Sequence, residues 1–193
     1  RWGEHPLHLS GALLHWAQQS SMGPLHNRPR ALHRIDLGTT GVMLYALSLE
    51  AEQYYRTLFS EGGVEKIYHA LVIGEVHADG IIDSPLAPDA RRGGLMRVYK
   101  RGKNSLTEYK AIKLFDGYTL VEARPKTGRT HQIRVHMSSI GHPLIVDPRY
   151  GGGDHFNLSQ IKRNYRPKQG RPEKPMISHL TLGHCFHKLN TVV

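Results

Sequence analysis

The chain has 193 residues, enough for one domain with a real core or two very small ones. Lys and Arg total 26 against 16 Asp and Glu, a formal net charge of +10 that favours a polyanionic partner, because phosphates release counterions when such side chains neutralise them. The single cysteine, Cys185, excludes an internal disulfide and a thiolate cage and points to a reducing compartment, and the lack of any apolar run of about 18 residues excludes a spanning helix.

The N-terminal stretch "RWGEHPLHLSGALLHWAQQS" has too short an apolar run and the wrong flanks for a signal peptide. Within it, residues 9–19 carry apolar side chains at helical spacing, with Ser10 as a candidate cap. "MGPLHNRPR" breaks that pattern with Pro and Gly. "GVMLYALS", 41–48, predicts a short buried strand, and "LEAEQYYRTLFSEG", 49–62, a helix stopped by Gly62 and Gly63. "KIYHALVIGEV", 66–76, predicts a strand, and "ADGIIDSPLAPDARRGG" a loop. "LTEYKAIKLFDGYTLVEARP", 106–125, predicts a hairpin turning at Asp116 and Gly117. "THQIRVHMSSIG", 130–141, predicts a helix with Thr130 as cap and Ile133, His136, Met137 and Ile140 on one face. "HPLIVDPRYGGG" predicts a strand and a turn, and the polar segment 151–175 a flexible insertion. The pattern has no internal repeat. It implies a single α+β domain over 1–193, with a mixed, largely antiparallel sheet and flanking helices.

The stretch "RIDLGTTGVML", 34–44, has two readings. Asp36-Leu37-Gly38-Thr39-Thr40 looks like a phosphate-binding turn of the actin and heat-shock chaperone ATPases. Such a turn needs an apolar strand before it, whereas "RPRALHR" is crowded with Arg and His. It also needs a second matching lobe, for which 193 residues without a repeat leave no room, and no nucleotide-binding glycine motif occurs elsewhere. The second reading makes Asp36 a carboxylate presented to an RNA base.

Four stretches in this order, "HRIDLGTTGVMLYA", "KIYHALVIGEV", "GKNSLTEYKAI" and "TGRTHQIRVHMSSIGHPLIVDPRYG", resemble the RluA-type RNA pseudouridine synthases over roughly residues 33–151. The last stretch is the most specific. The resemblance implies that Asp36 is the catalytic aspartate, that Tyr68 lines the base pocket and that Arg134 pairs with the aspartate. It implies that Arg34 contacts RNA or displaces the base. Arg129, Thr130 and His131, where the chain enters the helix, are candidates to hold Asp36 and the RNA backbone. It also implies a reaction without cofactor or metal, in which the N1–C1′ bond of uridine breaks, the base turns over, and a C5–C1′ bond replaces it.

The residue types suit that chemistry. Detaching a base leaves an electron-poor C1′, which a carboxylate stabilises or attacks. An adjacent guanidinium keeps that carboxylate ionised and aimed. A tyrosine ring stacks on uracil and offers a hydroxyl for proton removal from C5. Each residue also has a plainer reading: Asp36 as a turn residue, Tyr68 as a strand aromatic, Arg134 as a solvated cation. Their joint occurrence favours the functional one.

The departures are a missing D-K-P-x-G strand before the first helix, Ile35 for the more usual leucine, Thr40 for serine, and only a loose match at 176–189. Either the chain is truncated there, or another element completes the sheet. His179, His184, Cys185 and His187 lie close in sequence, but at spacings that fit no common zinc finger, so no metal is expected. The expected partner is rRNA or tRNA, with ribosomal assembly intermediates behind it and no membrane. The expected compartment is the cytoplasm, or a mitochondrial or plastid matrix. The rival expectation is a catalytically silent RNA-binding assembly factor that keeps the fold.

Overall fold

The computed structural model describes residues 9–19, 29–160, 162, 165, 173, 176 and the backbone of 182–189. In chain order its elements are helix α1 (Leu9–Gln19), strands β1 (Arg30–Ala31), β2 (Thr39–Gly41) and β3 (Tyr45–Ala46), helix α2 (Leu49–Ser60), strands β4 (Val64–Ile73), β5 (Gly80–Asp83), β6 (Leu86–Pro88), β7 (Met96–Val98), β8 (Leu106–Phe115) and β9 (Tyr118–Pro125), helix α3 (Gln132–Ser139), a 3-10 turn at Leu158–Gln160, and strand β10 (Leu182–Leu189). This is an α+β architecture with largely antiparallel pairing. It divides into two compact units: residues through Ile35 with Val42–Val64, and Asp36–Gly41 with Glu65–Lys188.

In the first unit, β1 and β3 pair antiparallel, Arg30 opposite Ala46 and Ala31 opposite Tyr45. The buried strand expected over 41–48 is reduced to Tyr45–Ala46, because only this short stretch finds a partner. Helix α2 starts where the Ser48 side chain accepts from the Ala51 N–H, satisfying one of the donors that the first turn leaves open. It stops because Gly62 takes φ +76, so that the Gly63 N–H reaches back to the Leu58 carbonyl at 2.9 Å. Buried Glu52 anchors one side of α2 through Arg56 at 2.9 Å and Arg30 at 3.2 Å. Ser10, read as a cap, lies one residue inside α1.

The second unit carries a six-stranded sheet in the order β2-β10-β4-β9-β8-β5. β10 runs parallel to β2; the β4–β9, β9–β8 and β8–β5 pairs are antiparallel. Side chains alternate along each strand, so one face collects Ala70, Val72, Val121 and Ala123, all buried. Met137 of α3 and Leu144 close this face into a core. On the reverse face Leu71, Ile73 and Tyr118 pack against Ile145, Val146 and Phe156. The hairpin turn falls at Asp116 and Gly117, with Phe115 opposite Tyr118 and Gly117 at φ +77.

The structure corrects three further readings. The stretch read as loop contains β5 and β6, whose short strands exist because the β8 edge and β7 offer them partners. The strand expected near 142–147 is a single bridge, Leu144 to Val72, followed by turns. α3 is shorter than 130–141, and Thr130 is not its cap. It is also covered on more than one side: Val135 packs with Leu86, Leu95 and Tyr150, while Ile140 is exposed. Most of the segment expected as a flexible insertion, and His179, lie outside the described residues; His184, Cys185 and His187 sit on β10, whose backbone alone is described. Among the described residues, no helix is long and apolar enough to cross a membrane.

Candidate active site

Asp36 opens a four-residue turn. Its carbonyl accepts the Thr39 N–H at 2.9 Å, and Gly38 takes φ +86, a value that suits the third position of such a turn only for a residue without a Cβ. Leu37, between them, is 98% exposed. The turn feeds β2, so the carboxylate is presented at the start of an edge strand of the sheet.

Arg134 meets it from α3. The Arg134 Nη1 donates to Asp36 Oδ2 at 3.2 Å. The rest of the guanidinium is held on Asp147, with Nε to Oδ2 at 2.7 Å and Nη2 to Oδ1 at 2.9 Å. That is the two-pronged geometry that a planar guanidinium makes and an ammonium does not. Asp147 is fully buried, and Arg134 keeps 8% of its surface exposed. Burial works against the charge on Arg134, but the hydrogen bonds and charge of Asp147, then those of Asp36, outweigh it and raise its pKa further. The guanidinium also lies over the Tyr150 ring, 4.8 Å from its centre.

Two backbone devices place these groups. Val146 takes φ +53, and the Asp147 carbonyl accepts from both Tyr150 and Gly152. A Cβ on Gly152 would overlap the Leu144 carbonyl, so glycine lets the chain fold back on itself here. On the other side, Gln132 fastens the start of α3. Its carbonyl oxygen accepts from Thr127 at 2.7 Å and from the Arg129 N–H at 3.0 Å, and its amide donates to Leu106 and Thr107, both at 2.9 Å. His131 occupies the cap position at φ +55 without a side-chain cap bond. Its Nδ1 lies 2.6 Å from the Tyr150 hydroxyl. Burial, helped by Arg134 and Arg149 and opposed by Asp36 and Asp147, lowers the pKa of His131; burial likewise raises that of Tyr150.

Of the residues singled out in the sequence, the structure joins Asp36 and Arg134 directly and places His131 within their electrostatic reach. Tyr68 pairs with Ala123 and alternates with Ala70 and Val72, so it stands half-buried on the sheet face that α3 covers. Lys66, next along that face, donates to the Thr127 carbonyl at 3.2 Å. Arg129 is exposed and donates to the Asn104 carbonyl at 3.1 Å; Thr130 is exposed beside it. Arg34 is exposed and belongs to the other compact unit.

Sequence reading missed three participants. Asp147 and Tyr150 stood inside a quoted stretch, "LIVDPRYG", but nothing in their spacing names Arg134 as their partner. The third is the β6–β7 hairpin with the turn after it. Residues 91–103 hold six cations (Arg91, Arg92, Arg97, Lys100, Arg101 and Lys103), and Arg97 stacks over Tyr99 at 4.7 Å. The Met96 N–H of β7 ties it to the Tyr150 hydroxyl at 2.9 Å. Its density of Lys and Arg was the available signal.

The profile of the family described as RNA pseudouridylate synthase matches residues 5–139. Ribosomal large subunit pseudouridine synthase D of Pseudomonas aeruginosa is 40% identical over 152 residues, covering 77% of this chain and 47% of the relative. The protein of that name from Escherichia coli K12 is 38% identical over 143 residues, covering 73% and 42%. An uncharacterized RNA pseudouridine synthase of Aquifex aeolicus is 37% identical over 179 residues, covering 91% and 55%. The chain thus spans about half the length of the curated relatives it matches. Among solved structures, human RNA pseudouridylate synthase domain containing 4 aligns with a TM-score of 0.63 at 26% identity, over 76% of this chain and 60% of that one. Human RNA pseudouridylate synthase domain containing 1 aligns with a TM-score of 0.59 at 32% identity, over 64% and 55%. With the family profile covering most of its length and the fold shared with these structures, this chain belongs to the RNA pseudouridylate synthase family.

Proposed function

We propose that the chain is an RNA pseudouridine synthase that isomerises uridine in ribosomal or transfer RNA. Asp36 is its catalytic carboxylate, Arg134 the cation that pairs with it and aims it, and Tyr68 the ring that stacks on uracil and serves proton transfer at C5. The observation that carries the reading is the Asp36–Arg134 contact at 3.2 Å, made by a guanidinium that Asp147 already immobilises. A carboxylate fixed in this way meets an electron-poor C1′ without first reorganising.

The target nucleotide leaves its stack to reach the site, at a cost of a few kcal/mol. Phosphate contacts offset that cost, and the cations of residues 91–103, with Arg34 and Arg129, are suited to make them. The names of the relatives from Pseudomonas aeruginosa and Escherichia coli favour large-subunit ribosomal RNA as the first substrate to test, free or in assembly intermediates. The composition suits the cytoplasm or an organelle matrix.

The test is tritium release from a large-subunit rRNA transcript labelled with [5-3H]uridine. The chain should release tritium, and Asp36→Asn should lose this by at least about 10⁴-fold while binding the same RNA within about threefold, as expected when a group acts only on the reacting centre. Full activity in Asp36→Asn would overturn the role of Asp36. RNA binding without any release by the unmodified chain would support the silent assembly factor instead.

A further inference from the structure

The Tyr150 hydroxyl has two hydrogen-bond partners among the described residues. It accepts the Met96 N–H at 2.9 Å and lies 2.6 Å from His131 Nδ1. Its own proton needs an acceptor, and Nδ1 is the one in reach. Were Nδ1 protonated, the phenol proton of buried Tyr150 would have no partner. So Tyr150 donates to Nδ1, and the imidazole carries its single proton on Nε2.

That Nε2–H has no hydrogen-bond partner among the described residues. The ring that carries it sits on a residue at φ +55, a left-handed conformation that few residues with a Cβ adopt, histidine more readily than most. The conformation is held because the His131 carbonyl accepts the Val135 N–H at 2.9 Å and Gln132 pins the adjoining loop. Strain of this kind persists only where the surroundings over-determine it. Asp36, Arg134, Arg149 and Asp147 lie within electrostatic reach of the ring. An unshared donor therefore stands on a ring bound to Tyr150, the same side chain over which the Arg134 guanidinium of the site lies.

We propose that His131, in its neutral Nε2–H form fixed by Tyr150, donates a hydrogen bond to a carbonyl oxygen of the uracil ring. This deepens the synthase reading and rests on it. When the N1–C1′ bond breaks, its electron pair stays with the base and spreads over the ring nitrogens and both carbonyl oxygens. C1′ is left electron-poor beside Asp36, and no proton moves in this step. A donor aimed at one of those oxygens binds more strongly as the charge grows, so it lowers the barrier rather than merely tightening binding. Tyr150 is a positioning residue, acting through His131.

The test uses the full chain, the [5-3H]uridine-labelled large-subunit rRNA transcript, and three variants checked for an unchanged thermal midpoint. His131→Asn tolerates positive φ and can still meet Tyr150, but its amide stops short of the Nε2 position. His131→Gln places an amide N–H near that position. Tyr150→Phe keeps the ring under Arg134 and removes only the hydroxyl. His131→Asn should lower kcat about 100-fold with KM within about threefold. His131→Gln should recover part of that loss, and Tyr150→Phe should cost about 10-fold in kcat. Imidazole 15N spectra should show the Nε2–H tautomer of His131 in the parent chain and a mixture in Tyr150→Phe. Unchanged kcat in His131→Asn, equal losses in the Asn and Gln variants, or an Nδ1–H tautomer in the parent would each overturn the proposal. A parent chain that releases no tritium removes the synthase reading itself, and this inference with it.

Discussion

Arg134 joins two regions that treat the same guanidinium differently. The segment 144–152 grips it with both oxygens of Asp147, a side chain with no exposed surface. The turn at 36–39 touches it with one oxygen of Asp36, whose side chain keeps 20% of its surface exposed. The first contact is a mounting; under the proposed function the second is the working contact. The Asp147 carboxylate is buried with both oxygens engaged, out of a substrate's reach, whereas Asp36, held by a single 3.2 Å bond, keeps its other oxygen without a hydrogen bond among the described residues. The difference also separates stability from activity, because a buried charge that loses its partner is expensive, whereas a partly solvated pair adds little to folding.

The largest expected contrast comes from neutralising each carboxylate in turn. Asp36→Asn should remove activity yet shift unfolding free energy by no more than about 1 kcal/mol. Asp147→Asn should destabilise by about 3 kcal/mol, since it leaves the buried Arg134 charge without its main partner. Chemical denaturation of both variants measures this, and equal losses of stability would break the distinction. Next, Arg134→Lys keeps the charge but not the fork, so it can serve only one carboxylate at a time. A loss of about 2 kcal/mol in stability together with about 100-fold in tritium release is expected. If Lys left both unchanged, the two-sided grip would be irrelevant.

The smallest effect concerns the scaffold beneath the grip. His136 is fully buried, its Nδ1 on Thr107 at 2.8 Å and its Nε2 on the Ser84 carbonyl at 3.0 Å. Burial lowers its pKa, with the Ser84 bond opposing. Above the ordinary histidine value of about 6.5 the ring is neutral in both folded and unfolded chains and gives no pH dependence. Below it the unfolded chain takes up the proton first, so stability falls with pH, by up to about 1.4 kcal/mol per unit for one such group, until the folded ring titrates too. His131, also lowered, adds in the same direction. Thermal midpoints from pH 7.5 to 5 should decline, and less steeply in His136→Gln. A flat profile would mean that the helix bearing Arg134 is not locked in this way.

Much of this arrangement was legible in the residues. The β8–β9 hairpin announces itself through alternation and Asp116-Gly117, and α2 through its helix formers and the Gly62-Gly63 stop, because these signals are local. Asp36 and Arg134 are readable together only because the stretches around them are idiosyncratic; 98 residues separate them, and no periodicity links them. Asp147 and Tyr150 were hidden for a related reason. They sit in turns without a repeat, and their partner lies on a helix. β5 was hidden because a short edge strand forms only when β8 offers an edge, which is a tertiary fact. Thr130 looked like a cap by type, but Gln132 took over the satisfaction of that loop, and His131 was left free to adopt positive φ.

The Asp36–Arg134–Asp147 triplet has one more implication. Taken by themselves, two carboxylates against one guanidinium give the triplet a surplus of negative charge, with Arg149 as a neighbouring cation, inside a chain whose overall sign is strongly positive. Under the proposed function, a phosphodiester would be drawn to the surrounding cations but repelled from the triplet itself, while an uncharged nucleobase would meet no such barrier. That sign reversal would then act as a sieve, sorting backbone from base before any shape is matched.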